Sequence, residues 1–210
     1  MTTFDAPPRA AYDVEALREE EFPWARDTIY LNHAAVGPLP ARARRELDAW
    51  TRERAAPALL TDDRLMQVLA DGRAKAARLI GADPAEIALT TNTSFGLNLA
   101  ARMLPLGKGD VALLSDQDFP ANVFAWRQLE DRGVTLELVP RTEENWPDEA
   151  RMIERMQDPR VKVLAVSQVE FHTGYRVDLG RLGSAARSSG TFFVVDAIQA
   201  LGHVGFDVRR

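Results

Sequence analysis

Between Ile87 and Asp196, five short apolar runs alternate with stretches of helical periodicity. The runs are Ile87 to Thr91, Val111 to Ser115, Thr135 to Val139, Val161 to Ser167 and Thr191 to Asp196. Near-continuous apolar runs of this length suit strands buried on both faces. Between them, Ser94 to Met103, Ala121 to Asp131, Pro147 to Met156 and Asp178 to Ser188 read as helices. Strand and helix in regular succession leave few folds open. The pattern predicts an α/β class with a mainly parallel sheet, right-handed crossovers and helices on both faces. In such sheets, chemistry gathers at the C-terminal strand ends, where loops lead into helices.

Upstream the pattern is helical. A short helix is predicted from Asp13 to Glu21, ended by Pro23. Pro40 opens a second, to about Arg54, with Leu47 and Trp50 as its buried stripe, and Pro57 breaks it. Thr61 is a plausible N-cap for a third, which runs to Ile80 and stops at Gly81. Its predicted apolar face is Leu65, Val68, Leu69, Ala76 and Leu79.

Composition narrows the function classes. Across 210 residues, 46% are hydrophobic and 27% charged, too apolar for a disordered chain. The formal net charge of −5 gives no bulk attraction to nucleic acid or anionic lipid. There is no cysteine, which excludes disulfides and thiolate metal ligands within this sequence. His33, His172 and His203 lack metal-ligand spacing, so no metal site is predicted. Met1 to Pro8 has no apolar signal-peptide core, and no apolar run approaches the roughly 20 residues of a membrane span. The expectation is a cytoplasmic protein without nucleic-acid or membrane partners.

Three strand ends carry candidate chemistry. Thr91-Asn92-Thr93-Ser94 opens directly into a helix, where free amides and the positive dipole end suit a phosphate. A plain Ser/Thr-rich cap fits the same residues. Phe119, just before a helix, is placed to stack on a flat heterocycle or to staple the helix start. Asp196 ends a wholly apolar strand, where a carboxylate needs a cationic or hydrogen-bonding partner. Capping the next segment is the simpler role for it. Gln168 leaves the fourth strand and is a weaker signal. No GxGxxG, Walker loop or GxSxG elbow is present, which sets a dinucleotide-binding oxidoreductase far behind.

In this order the segments resemble class V aminotransferases, fold-type-I pyridoxal-phosphate enzymes. The resemblance rests on Tyr30-Leu31-Asn32-His33-Ala34-Ala35-Val36-Gly37-Pro38, Thr91 to Leu99, Phe119-Pro120-Ala121-Asn122 with Trp126, and Val195 to Gly202. It covers about Ile29 to Arg210; by the Asn92-Thr93-Ser94 loop and Phe119-Pro120 the isopenicillin-N-epimerase-like and kynureninase-like members are nearest, with cysteine-desulfurase-like members in the same group. It implies an N-terminal arm over residues 1–28 and an incomplete fold-type-I large domain over 29–210. It implies pyridoxal phosphate as cofactor and an amino acid as substrate, with aminotransferase, epimerase, lyase or desulfurase chemistry. Thr93 and Ser94 would hold the phosphate, Phe119 stack on the ring, Asp196 pair with the ring nitrogen, and Gln199 meet the ring hydroxyl with Gln168 beside it. Asn32 and His33 border the substrate or are structural.

The resemblance also places the Schiff-base lysine beyond Arg210, and Lys75, Lys108 and Lys162 do not match its position. The expectation is thus a chain with no catalytic lysine of its own, completed by a C-terminal half or working within a homodimer. A non-catalytic truncated remnant, acting as a binding or interaction domain, is the alternative.

Overall fold

The computed structural model describes residues 13–56, 58 and 60–209. Four of the five apolar runs form strands: β1 (Val111–Ser115), β2 (Thr135–Val139), β3 (Val161–Ser167) and β4 (Phe192–Asp196). All pair in parallel, in the order β2-β1-β3-β4. β1 is buried along its whole length and β3 almost so, because each has a neighbour on both sides. β2 and β4 are edge strands and stay half-exposed until their last residue.

The one charge inside this core sequence has a geometric explanation. Between Val111 and Ala112 the β1–β3 register shifts, so that Val111 faces Val161 but Ala112 faces Val163. Lys162 occupies the extra position and is exposed. Such a bulge resets the two-residue alternation of the strand. Beyond it, Val163 and Ala165 face one layer while Leu164 and Val166 face the other.

Each layer is closed by a pair of helices. Leu97 and Ala101 of α4 (Thr93–Met103) and Ala125 and Trp126 of α5 (Pro120–Arg127) pack on Ala112, Leu114, Val163 and Ala165. On the opposite face, Met152 of α6 (Glu149–Arg155) joins Leu182 and Ala186 of α7 (Leu179–Ser189) against Leu113, Leu164 and Val166. The predicted α/β class, with helices on both faces, is the observed one. Helix starts follow local side chains: Asn92, Asp148 and Asp178 each accept a backbone N–H of the first turn.

The fifth predicted strand, Ile87 to Thr91, does not form. Ile87 is extended (φ −99°, ψ 120°), yet the segment joins no ladder and Leu89 is 48% exposed. A strand's hydrogen bonds lie between segments, and among the described residues this one pairs with none. The helix predicted to reach Asp131 ends at Arg127, and a 3-10 turn over Glu130–Arg132 closes on Gly133 (φ 80°).

The chain divides into two compact units, Met1–Val68 and Leu69–Arg210, and the division falls inside the third helix. The first unit holds α1 (Val14–Glu21), α2 (Ala41–Ala55) and the start of α3 (Asp62–Ile80). Asp13 caps α1 by accepting the Ala16 amide at 3.0 Å. Glu21, buried, accepts from the Arg42 backbone at 2.8 Å and its Nε at 2.7 Å. The Arg42 amide, followed by its guanidinium, holds that carboxyl below its ordinary value.

The predicted stripe of Leu47 and Trp50 is not buried: Leu47 is 54% exposed, and α2 buries no residue. Its sequence is mostly charged, and its contacts are polar ones, Arg42 with Glu21, Arg45 with Glu20 and Glu53 with Arg64. Likewise Leu65, Val68, Leu69 and Leu79 of α3 stand open, while Ala77 is its buried residue. The predicted break at Pro57 and the first twelve residues of the predicted arm lie outside the described residues. Among the described residues no helix is long and apolar enough to cross a membrane.

The loops at the C-terminal rim of the sheet are tied by a buried ion pair. Arg141, just after β2, donates to both oxygens of Glu170 at 2.6 and 2.7 Å, and both side chains are about 5% exposed. Its remaining donors reach the carbonyls of Asp116 and Asn145, each at 2.8 Å. Arg141→Ala leaves Glu170 buried with only the Thr173 hydroxyl. The expected loss is about 3–5 kcal/mol in urea denaturation. A loss under about 1 kcal/mol, the scale of an exposed pair, would show that water reaches it.

Candidate functional site

Parallel pairing brings the strand ends to one rim, and the register makes Ser167 of β3 the partner of Asp196 of β4. The Gln168 amide donates to the Asp196 carbonyl at 2.9 Å, which continues the ladder one step into the loops. The turn after β1 reaches the same place. Gln117 takes a left-handed conformation (φ 59°) and turns the chain so that Asp118 points inward.

Asp118 is buried and accepts four hydrogen bonds. The Phe119 amide and the Ser167 hydroxyl reach Oδ1, both at 2.6 Å. The Ser167 amide reaches Oδ2 at 3.2 Å and the Asn122 side chain at 3.1 Å. Asn122 in turn accepts from the Trp126 indole at 3.1 Å. This chain of contacts was not anticipated from the sequence. Its signal was the spacing Asp118, Asn122, Trp126, four residues apart on consecutive turns of a helix start.

Asp196 is differently placed. It is 5% exposed, and Oδ1 accepts the Ile198 amide at 3.0 Å. Its Oδ2 is buried without a hydrogen-bond partner among the described residues, and so is Oε1 of Gln168, itself 2% exposed. Burial pushes the Asp196 carboxyl above its ordinary value; the Ile198 amide opposes this, and the charge of Asp118 adds to it. Leaving a buried acceptor unmatched costs about 1–3 kcal/mol. Two such acceptors on neighbouring strands suit a ligand that brings a cationic N–H and a further donor.

The other predicted residues sit on separate elements. Phe119 sits at the cap position before α5, 39% exposed, with its ring 5.3 Å from that of Phe171, edge-on at 60°. Phe171 continues to His172 at 5.1 Å. Thr93 and Ser94 form the first turn of α4, where Asn92 caps the Phe95 amide at 2.8 Å. The last turn of α4 leads through Leu106 to the start of β1, so its first turn lies toward the rim where the strands end. Ser94 is exposed and Thr93 half-buried. Gln199 is half-buried and engaged in a contact of its own. Asn32 and His33 belong to the first unit and are exposed, the His33 ring lying edge-on to Tyr30 at 5.4 Å. Lys108 and Lys162 precede β1 and open β3, at the N-terminal strand ends opposite the rim of Asp196, and Lys75 lies on α3. Among the described residues no cluster of His, Asp or Glu could hold a metal ion.

Comparison with known proteins places these features in context. The family described as aminotransferase class-V matches residues 29–210. A probable cysteine desulfurase of Methanothermobacter thermautotrophicus is 31% identical over 195 residues, covering 90% of this chain and 48% of the relative. Isopenicillin N epimerase of Streptomyces clavuligerus is 30% identical over 188 residues, covering 87% of this chain and 47% of that one. The apo structure of a cysteine desulfurase from Thermococcus onnurineus superposes with a TM-score of 0.81 at 25% identity, covering all of this chain and 52% of that protein. The chain thus spans about half the length of the relatives it matches.

The raised Asp196 value makes a signed prediction. The folded state holds this proton more tightly than the unfolded chain does. Its contribution to stability is therefore full below the ordinary carboxylate range and is lost as pH rises through the raised value. Asp196→Asn removes that loss. Relative to wild type, the variant should gain stability between pH 4 and pH 7 in urea denaturation. An unchanged difference at the two pH values would show that Asp196 ionises without penalty.

Proposed function

The chain belongs to the class-V aminotransferase family, and we propose that it forms the cofactor-binding part of a pyridoxal-phosphate-dependent enzyme acting on an amino acid. The observation that carries this reading is the buried, unmatched Oδ2 of Asp196 at the rim, with the unmatched Oε1 of Gln168 beside the same strand end. A carboxylate so placed is matched by a protonated pyridine nitrogen. When bound, such a ring draws off negative charge developing at a substrate α-carbon. The names of the two sequence relatives, a desulfurase and an epimerase, support an amino-acid substrate as the common level of assignment.

The residues divide the work. Asp196 keeps the ring nitrogen protonated, because a buried carboxylate is stabilised most by a cationic donor. Gln168 supplies an acceptor for a ring substituent, with Gln199 near the same strand end. Phe119 offers its ring for stacking, and its Phe171 contact restricts how it turns. Thr93 and Ser94 at the start of α4 take the phosphate through amides and hydroxyls. Lys108 and Lys162 stand at the N-terminal strand ends, opposite the rim of Asp196, and neither is placed to bind the cofactor covalently, which favours non-covalent binding.

Titration with pyridoxal phosphate, followed by absorbance and by quenching of Trp126, is expected to show saturable, dialysable binding. Asp196→Ala should weaken it about tenfold or more, the value of one charge-assisted hydrogen bond. Borohydride reduction should attach the cofactor to no single lysine. Absence of binding would sink the cofactor assignment, and stoichiometric labelling of Lys75, Lys108 or Lys162 would sink the non-covalent one.

A further inference from the structure

The network around Asp118 has more connections than a helix cap requires. A cap takes one or two amides of the first turn. Asp118 instead binds across the sheet, and both donors of Ser167, its backbone amide and its hydroxyl, end on this one carboxylate. Ser167 is the register partner of Asp196. On the other side, Asp118 holds the amide of Phe119, the first atom of the residue whose ring faces the rim. Asn122 and Trp126 brace it from behind, both fully buried.

We propose that Asp118 is a positioning residue of this site, fixing the Phe119 ring and the Asp196 carboxylate in one arrangement through Ser167. This rests on the reading of the site as one for pyridoxal phosphate. A flat ring needs its stacking face and its nitrogen partner set at once, and these come from different strand ends. Asp118 is bonded to the Phe119 amide on one side and, on the other, to Ser167, which pairs with Asp196 in the ladder. Its charge also acts on Asp196, so it tunes as well as places that carboxylate. Two carboxylates close together in a site of low polarity oppose each other's ionisation. A cationic ring nitrogen relieves that opposition, which favours the protonated ring over a neutral one.

The test follows Asp196 itself, by carbon NMR of its side-chain carboxyl during a pH titration of the full chain without cofactor. Asp118→Asn should move the Asp196 midpoint down, toward the ordinary carboxylate value, because an opposing charge is gone. Ser167→Ala keeps every charge and cuts only the hydroxyl bond; it should displace the midpoint too, and it provides a mild variant if Asp118→Asn does not fold. A knot that served folding alone would lower stability and leave this midpoint where it was. An unchanged Asp196 midpoint in either folded variant overturns the proposal. Pyridoxal phosphate affinity, read by fluorescence, should fall about tenfold in both variants, the usual cost of removing a group behind a ligand contact. Unchanged affinity, against a wild type that binds, overturns it as well. A wild type that takes up no pyridoxal phosphate refutes the proposed function instead, and the midpoint then decides the role of Asp118 unaided.

Discussion

Pairing β1 with β3 in parallel takes both strands out of water on two faces, and the second unit is organised around that burial. The residues of the two strands alternate between an α4–α5 layer and an α6–α7 layer. Removing a Leu or Val side chain from water contributes roughly 1.5–3 kcal/mol, so a one-residue slip in register would be costly all along the strand. Lys162 shows how strict the requirement is. The one charged residue in β3 is placed at a bulge, where it leaves the alternation and reaches solvent.

Burial of this kind leaves little room for polar groups, and those at the rim are nearly all matched. Glu170 has Arg141 and the Thr173 hydroxyl. Glu149 accepts from the Tyr175 hydroxyl at 3.0 Å and the Asp178 amide at 3.2 Å. Asp118 has four donors. Against that background the free oxygen of Asp196 stands apart. Among the described residues the chain's other buried rim carboxylates are matched, and two acceptors, Asp196 Oδ2 and Gln168 Oε1, are left where a ligand is proposed. A site that holds an unmet acceptor within a rigid, satisfied frame is preorganised for a donor, because little has to move when the donor arrives.

Much of this was legible in the sequence, for reasons that are local. Runs such as Val111–Ser115 and Val161–Ser167 announce buried strands by composition alone. The helix starts predicted at Ser94, Ala121, Pro147 and Asp178 fall within two residues of those observed, because a helix start depends on side chains of its own first turn. Asp196 drew attention because a carboxylate ending an apolar strand is expensive unless partnered. The errors share a different character. Ile87 to Thr91 has strand composition but joins no ladder, and Leu47, Leu69 and Leu79 have helical spacing but stay exposed. Periodicity shows which face can be buried; it does not supply the surface that buries it.

The sequence by itself determined the α/β class, most element boundaries and the residues at the strand ends, because each depends on contacts within a few positions along the chain. Only the tertiary structure decided which of those residues act together. Ser167 and Asp118 are separated by 49 positions, yet they share two hydrogen bonds. Arg141 and Glu170 are 29 apart and form one buried pair. Such links are invisible to spacing, because they exist only once parallel pairing has brought distant strand ends to one rim. That same pairing separated the matched carboxylate of Asp118 from the unmatched one of Asp196, a difference set by what surrounds each side chain and not by the residue type.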